Sequence, residues 1–436
     1  GIFPSQPEPE SGGRWAELWR SLQANRQDIE EQPAAADNNP LAIFVRQLER
    51  VALSQRAHQR LDRFMPELLD RLDQKSFDED ALNRVFDLVL AVCRRSAYLV
   101  LLVQHPKALD RMLELFERSD WIAGNVIRFP ALLDELIDPS LGRHIPGPDD
   151  LARSVDRILE AAQGTENLLE SLNYLKLANS LRIAVGQLEG SLDGEQARAG
   201  LSNLAAALVT GVLELAAREI ESRHGGFPAV ASPGSGGPSA LRDRHGGLAV
   251  IGYGSFGALE LSYESDLDIV FLFEPTADAS DGARPLPPER YYARLAQRLL
   301  SFLTVLTPSG RLYEVDTRLR PNGRAGALVS GISAFREYQL GEAWTWELQA
   351  LTRARFVAGN AAIAAQFNRI RQDVLCQPRD PHALAAELLE MRRRMHREHE
   401  GDARLDVAQS PKHQPGGLID IEFVAQLGVL SSAHLY

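Results

Sequence analysis

The chain has 436 residues, 44% of them hydrophobic and 24% charged, which leaves room for about two to four soluble globular domains. A formal net charge of −12 argues against a partner held mainly through a nucleic-acid backbone, and Arg392-Arg393-Arg394 reads as a solvated helix face. Cys93 and Cys376 lack metal-ligand spacing and point to a reducing compartment, while the most apolar run, Ala97–Val103, is far short of the ~20 residues a membrane span needs.

Along residues 1–40, prolines, glycines and acids surround one short helical piece, "RWAELWRSL", as in a linker or tail. Over 41–190 apolar residues recur at three- and four-residue spacing, and an all-helical domain is expected there. The stretch after Leu41 puts Phe44, Leu48, Val51 and Leu61 on repeating faces, and "DEDALNRVFDLVLAVCRRSAYLVLLV" reads as one helix capped by Asp78 or Asp80. A further helix spans about Gly194 to Arg223. The glycine-, proline- and serine-rich stretch over 224–247 reads as an exposed, mobile connection.

The pattern then changes. "LAVIGYG", "DLDIVFLFE" and "GRLYEVDTRLR" are short β-branched or aromatic runs bounded by turn residues and read as strands. "PPERYYARLAQRLLSFLTVLT" between the last two reads as an amphipathic helix with proline at its start. Helix is expected after Ser333 to the end, apart from a proline-rich loop near Ser410–Gly417. The fold class is α+β, predominantly helical, with a mixed domain over 194–380 and the start of another helical region over 381–436. The chain opens on glycine rather than methionine and stops inside a helical pattern, so a piece of a longer protein is expected.

Gly252-Tyr253-Gly254-Ser255-Phe256-Gly257 matches the G-x-G-x-x-G of a dinucleotide-binding turn. A dinucleotide fold needs a crossover of about a dozen residues or more before the next parallel strand, and only Ala258–Ser265 is available. Glu274, at the far end of the second strand, is the one residue placed to hold a ribose. The other reading ends one strand at Gly254-Ser255 and begins the next at Asp266-Leu267-Asp268. Alternation then projects both aspartates from one face, about 7 Å apart at Cα, while Leu267 and Ile269 enter the core. Paired carboxylates suit divalent magnesium, and the amides of a glycine turn suit phosphate. "LYEVDTRLRP" supplies a third acid: Glu314, Asp316 and Arg318 share a strand face and Arg320 continues it, with Arg318 or Arg320 also able to pair with Glu314.

That order resembles the DNA polymerase β-type nucleotidyltransferases. The longer motifs "GYGSFGALELSYESDLDIVFLFE", "LYEVDTRLRPNGRAGALV", "EAWTWELQALTRARFVAG" and "GGLIDIEFVAQ", with "FPALLDELIDP" upstream, resemble the glutamine synthetase adenylyltransferase family, from about Trp15 to the end. The resemblance implies a nucleotidyltransferase domain over 194–380 between a regulatory helical domain and a helical bundle that begins at 381. It implies transfer of AMP from ATP to a tyrosine of glutamine synthetase, because "LYEVD", "EAWTWE" and "DIEF" look like the adenylylating copy of two such domains. Phosphorolytic removal of AMP and a non-catalytic nucleotide- or partner-binding module are the alternatives.

Carried over residue by residue, Asp266, Asp268 and Asp316 would hold magnesium and act in catalysis. Gly254 and Ser255 would anchor phosphates, and Arg318 and Arg320 would face pyrophosphate. The resemblance also implies a cytoplasmic protein that answers to the PII signalling protein and to glutamine, with neither nucleic acid nor membrane as partner. Ser255 stands where the family usually has lysine, and "DVAQSPKHQPGG" is longer than the family's lysine-bearing loop, leaving the equivalence of Lys412 open. The role of Glu422 is likewise open: capping, or an ion pair to the catalytic domain. Trp344 and Trp346 are expected to pack in the core, and His396 and His399 to be solvated rather than metal ligands.

Overall fold

A computed structural model describes Trp19 and residues 40–75, 77–161, 164–227, 247–400, 411–412 and 414–435. The expected tail and most of the expected mobile connection lie outside the described residues. The chain divides into two compact units, Gly1–Ile145 with Leu177–Asp193, and Pro146–Lys176 with Gly194–Tyr436. The expected helical domain over 41–190 is thus drawn from both.

The described part of the first unit is helical: α1 (Pro40–Glu49), α2 (Gln55–Gln74), α3 (Glu79–Val92), α4 (Ala97–Gln104), α5 (Pro106–Arg118), α6 (Asp120–Arg128) and a 3₁₀ segment, Pro130–Ile137. Side-chain caps start the helices where the periodicity begins. Ser54 accepts from the Ala57 amide (3.2 Å), Asp78 from that of Ala81 (2.6 Å) and Ser119 from that of Ile122 (3.2 Å). Phe44, Leu48 and Leu61 are buried as expected, but Val51 lies in the break before Ser54, outside any helix. The run from Asp78 to Val103 is two helices, because the chain turns at Arg94–Ser96.

The second unit opens with α7 (Pro148–Ala161), α8 (Thr165–Leu188), whose last residues belong to the first unit, and α9 (Gly194–His224). A Cβ on Gly211 of α9 would lie 2.3 Å from Val155, so glycine there lets α7 and α9 approach closely. The mixed part follows as β1 (Leu248–Gly252), the short α10 (Gly254–Gly257), β2 (Leu267–Phe273), α11 (Pro288–Thr304), β3 (Val315–Asp316) and β4 (Val329–Gly331). It ends with α12 (Ile332–Gly341), α13 (Thr345–Thr352), β5 (Arg355–Gly359), α14 (Ala361–Leu375), α15 (Pro381–Glu400) and α16 (Leu418–Ser432).

The sheet is small and mixed, in the order β3-β2-β1-β5, with β4 also on β2. β1 runs antiparallel to both β2 and β5, whereas β3 and β4 run parallel to β2 along successive stretches of it. β1 is buried at every position, as a central strand covered on both faces must be. On one face Ile251, Tyr253, Val270 and Leu272 pack with Phe335, Leu351, Phe367 and Leu388. Phe273 meets the Tyr292 ring of α11 at 5.2 Å.

Three local readings are corrected. β5 lies inside the stretch read as continuous helix. β3 is two residues long instead of running through Arg320. Two helices, Gly194–His224 and Leu418–Leu435, are long and apolar enough by composition to cross a membrane, although no uninterrupted apolar run revealed them. Gly194–His224 is the core helix of its unit, with 67% of its apolar window buried, against 11% for Leu418–Leu435.

Candidate functional site

The antiparallel pairing of β1 and β2 removes the dinucleotide reading: no crossover helix separates the glycine turn from the acids, and Glu274 accepts from Gln366 (2.8 Å). The strand pair instead brings turn and acids together. The amide of Tyr253 donates to the Asp268 carbonyl at 2.9 Å, which places Gly254 beside the Asp268 side chain. Gly254 has φ +53°, and a Cβ there would lie 2.3 Å from Asp268 Oδ2, so only glycine fits. Within the turn the Gly257 amide donates to the Tyr253 carbonyl at 2.8 Å, so the preceding amides of Ser255 and Phe256 begin the helical turn and are not used by that bond.

The C-terminal side of the turn is braced from β5. Arg355 donates to the carbonyls of Phe256 (3.2 Å) and Gly257 (3.3 Å). Arg353 joins Glu260, just beyond the turn, to Glu422 on α16 at 2.7 Å. Glu422 therefore has the ion-pair role that the sequence left open.

Asp268 and Asp316 are direct neighbours across the parallel β2–β3 pair, and Leu267 and Ile269 are fully buried on the opposite side. Asp266 precedes β2 and is exposed. Burial, then the charges of Asp266 and Asp316, push the Asp268 carboxyl up to about 6. The mutual field of the three acids is thus a property of the fold. Asp316 is turned onto Arg318: Oδ1 accepts the Arg318 amide at 2.8 Å and Oδ2 its Nε at 2.6 Å, which holds this carboxyl below the usual carboxylate range. Among the described residues no three His, Cys, Asp or Glu side chains close into a ready metal-ligand set. The residues nevertheless fit magnesium in donor chemistry: all three are carboxylates, and their repulsion at Asp268 is what a hard divalent cation offsets.

The remaining expected residues separate. Glu314 pairs with Arg311 (2.7 Å), not with Arg318 or Arg320. Arg320 does not continue a strand face. Its guanidinium donates to the Thr317 carbonyl (2.8 Å), Thr317 Oγ1 (2.9 Å) and the Gly326 carbonyl (3.2 Å), bracing its own loop. Trp344 and Trp346 are 70% and 38% exposed, so the expected core packing fails. The buried residue there is Glu347, which accepts from the Trp344 amide and the Tyr338 hydroxyl, both at 2.9 Å. The His399 side chain lies outside the described residues. Arg353 had no sequence signal, because its two ion pairs depend on which side chains the fold leaves nearby.

The family model of glutamate-ammonia ligase adenylyltransferase matches residues 109–370. Over 425 residues the chain is 40% identical to a bifunctional glutamine synthetase adenylyltransferase/adenylyl-removing enzyme of Stenotrophomonas maltophilia, covering 95% of this chain and 43% of that protein. Proteins of the same name from Nitrosococcus oceani and Xanthomonas campestris pv. campestris are 40% and 42% identical, over 97% and 90% of this chain and 44% and 40% of theirs. The chain spans less than half the length of these relatives.

Proposed function

The chain belongs to the glutamate-ammonia ligase adenylyltransferase family, and from that premise we propose that it transfers AMP from ATP to a tyrosine hydroxyl of glutamine synthetase, on a DNA polymerase β-type nucleotidyltransferase domain. One observation carries the reading: Asp268 pairs with Asp316 across β2 and β3, with Asp266 just ahead of β2, the strand that pairs with β1 to bring the glycine turn beside the acids.

The amides at Gly254 and Ser255 bind phosphate oxygens, and the missing Cβ at Gly254 keeps the phosphates close to Asp268. Magnesium held by Asp266, Asp268 and Asp316 would neutralise phosphate charge and lower the pKa of the attacking hydroxyl. Asp316, whose carboxylate Arg318 keeps in place, orients the tyrosine and takes its proton. The tyrosine oxygen forms a bond to the α-phosphorus as the bond to the bridging oxygen breaks, and pyrophosphate leaves. Glutamine synthetase as protein substrate is supported by the names of the relatives, whereas PII and glutamine as effectors and a cytoplasmic setting rest on the sequence resemblance alone.

The test is magnesium-dependent labelling of glutamine synthetase from α-labelled ATP. Asp266→Asn and Asp268→Asn are expected to abolish labelling with the fold retained, and full activity in either would remove the acid assignment. Release of ADP from adenylylated glutamine synthetase and phosphate, without forward labelling, would favour the opposite direction.

A further inference from the structure

Asp316 leads directly into residues 317–326, a loop knotted mostly on itself. Arg320 donates to the carbonyls of Thr317 (2.8 Å) and Gly326 (3.2 Å), the Gly323 amide donates to the Arg320 carbonyl at 2.8 Å, and the Ala325 amide to that of Asn322 at 3.2 Å. Asn322 and Gly323 follow one another at φ +61° and +55°, and the Pro321 carbonyl leaves no room for a Cβ on Gly326. These bonds set the shape of the loop but not its place. Its place is set from α12 and α13. Leu319 packs against the core cluster that holds Phe335 and Leu351, and the Asn322 amide donates to the Tyr338 hydroxyl at 3.3 Å.

Tyr338 and Glu347 are both buried. The tyrosine has one hydroxyl proton to donate, and the carboxylate takes it: Oε1 and Oε2 each lie 2.9 Å from the hydroxyl, and Oε2 also accepts the Trp344 amide at 2.9 Å. A carboxylate can only accept. With its proton held there, the hydroxyl turns its lone pairs to the Asn322 amide. Glutamine at 347, with its oxygen kept on the Trp344 amide, would set its NH2 against Tyr338, free the tyrosine proton and aim it at the Asn322 N–H. Among the described residues Glu347 has no ion-pair partner, and a buried charge without one is unfavourable. Capping α13 does not require that charge, since a neutral glutamine serves at the same helix position. Fixing the direction of the hydrogen bonds that reach Asn322 does.

We propose that Glu347 is a positioning residue for the third acid: through Tyr338 and Asn322 it holds the loop that follows Asp316, and so sets where that carboxylate meets the acceptor hydroxyl. This rests on the AMP-transfer reading. Glu347 touches neither nucleotide nor acceptor in this role and exchanges no proton with them. The glycine turn, Asp266 and Asp268 are placed by the β1–β2 pairing instead, so the nucleotide end of the site does not depend on these bonds.

The test joins hydrogen exchange of the full chain with steady-state AMP labelling of glutamine synthetase. Tyr338→Phe, which keeps the ring, and Glu347→Gln are each expected to speed amide exchange across 317–326. Each is also expected to lower kcat about 2- to 10-fold, the range of one hydrogen bond, with the KM for ATP unchanged. The double variant should fall no further than Glu347→Gln alone, because both changes break the same set of bonds. Unchanged exchange and unchanged kcat in both variants, in a chain that labels glutamine synthetase, would overturn this inference and leave AMP transfer standing. A lower kcat with a raised KM for ATP and faster exchange throughout the core would also overturn it, since that pattern marks a merely structural role. A wild-type chain that labels nothing would overturn both.

Discussion

Asp268→Asn, in protein stripped of divalent ions, is expected to make the chain more stable while removing its activity. Burial and the neighbouring acids raise the Asp268 carboxyl from 3.8 to about 6, which at neutral pH amounts to about 3 kcal/mol of unfavourable ionisation. A raised folded-state value favours the protonated group: its stabilisation is complete below 3.8 and is lost as pH rises through about 6. Asparagine stays neutral, so its benefit is confined to pH above that window. Subtracting about 1 kcal/mol for an amide whose hydrogen bonds are incompletely made leaves about 2 kcal/mol, or about 4–8 °C in melting temperature for a domain of this size. Thermal unfolding followed by circular dichroism, with a chelator at pH 7.5 and pH 4, measures it. Magnesium at tenfold over its dissociation constant should then stabilise the wild type by about 1.4 kcal/mol and the variant far less. A variant no more stable than wild type in chelator, with both responding alike to magnesium, would refute the reasoning.

Gly254→Ala forces a Cβ within 2.3 Å of Asp268 Oδ2 at a positive φ, and should cost about 1–3 kcal/mol together with a loss of ATP binding, read by thermal shift and titration. Arg353→Met removes both ion pairs of the clamp between Glu260 and Glu422, and hydrogen exchange should show faster amides at Leu418 and Ile419. Burial pulls Lys176 down to about 8, although it donates to the Leu312 carbonyl and lies 4.5 Å from the Tyr313 ring. Between that value and 10.5 the unfolded chain binds a proton that the folded chain does not. Wild-type stability should therefore rise with pH across the window, by at most about 3 kcal/mol, relative to Lys176→Met in urea titrations.

What was legible in the sequence was what depends on local pattern. β1 and β2 announced themselves as short apolar runs, and the eight residues from Ala258 to Ser265 were too few for a crossover, so the strand pair and its two acids followed from spacing. The third strand was over-read because Asp316 folds back on its own chain: its carboxylate accepts the amide two residues on, an Asx turn that ends the strand and turns Arg320 into its loop. β5 hid because Arg355–Gly359 is short, lies between helices and owes its pairing to β1. The tryptophans misled for a related reason. Glu347, accepting a tyrosine hydroxyl and a backbone amide, takes the buried place that composition assigned to the aromatic rings.

The glycine turn, Asp266 and Asp268 belong to one continuous hairpin, whereas Asp316 arrives on a two-residue strand held by a single edge pairing. The first three are therefore fixed by one strand pairing, and the third carboxylate is mounted separately. Under the proposed transfer, sequence drift that retunes the choice of acceptor is expected to gather around Thr317–Gly326, leaving the hairpin itself untouched.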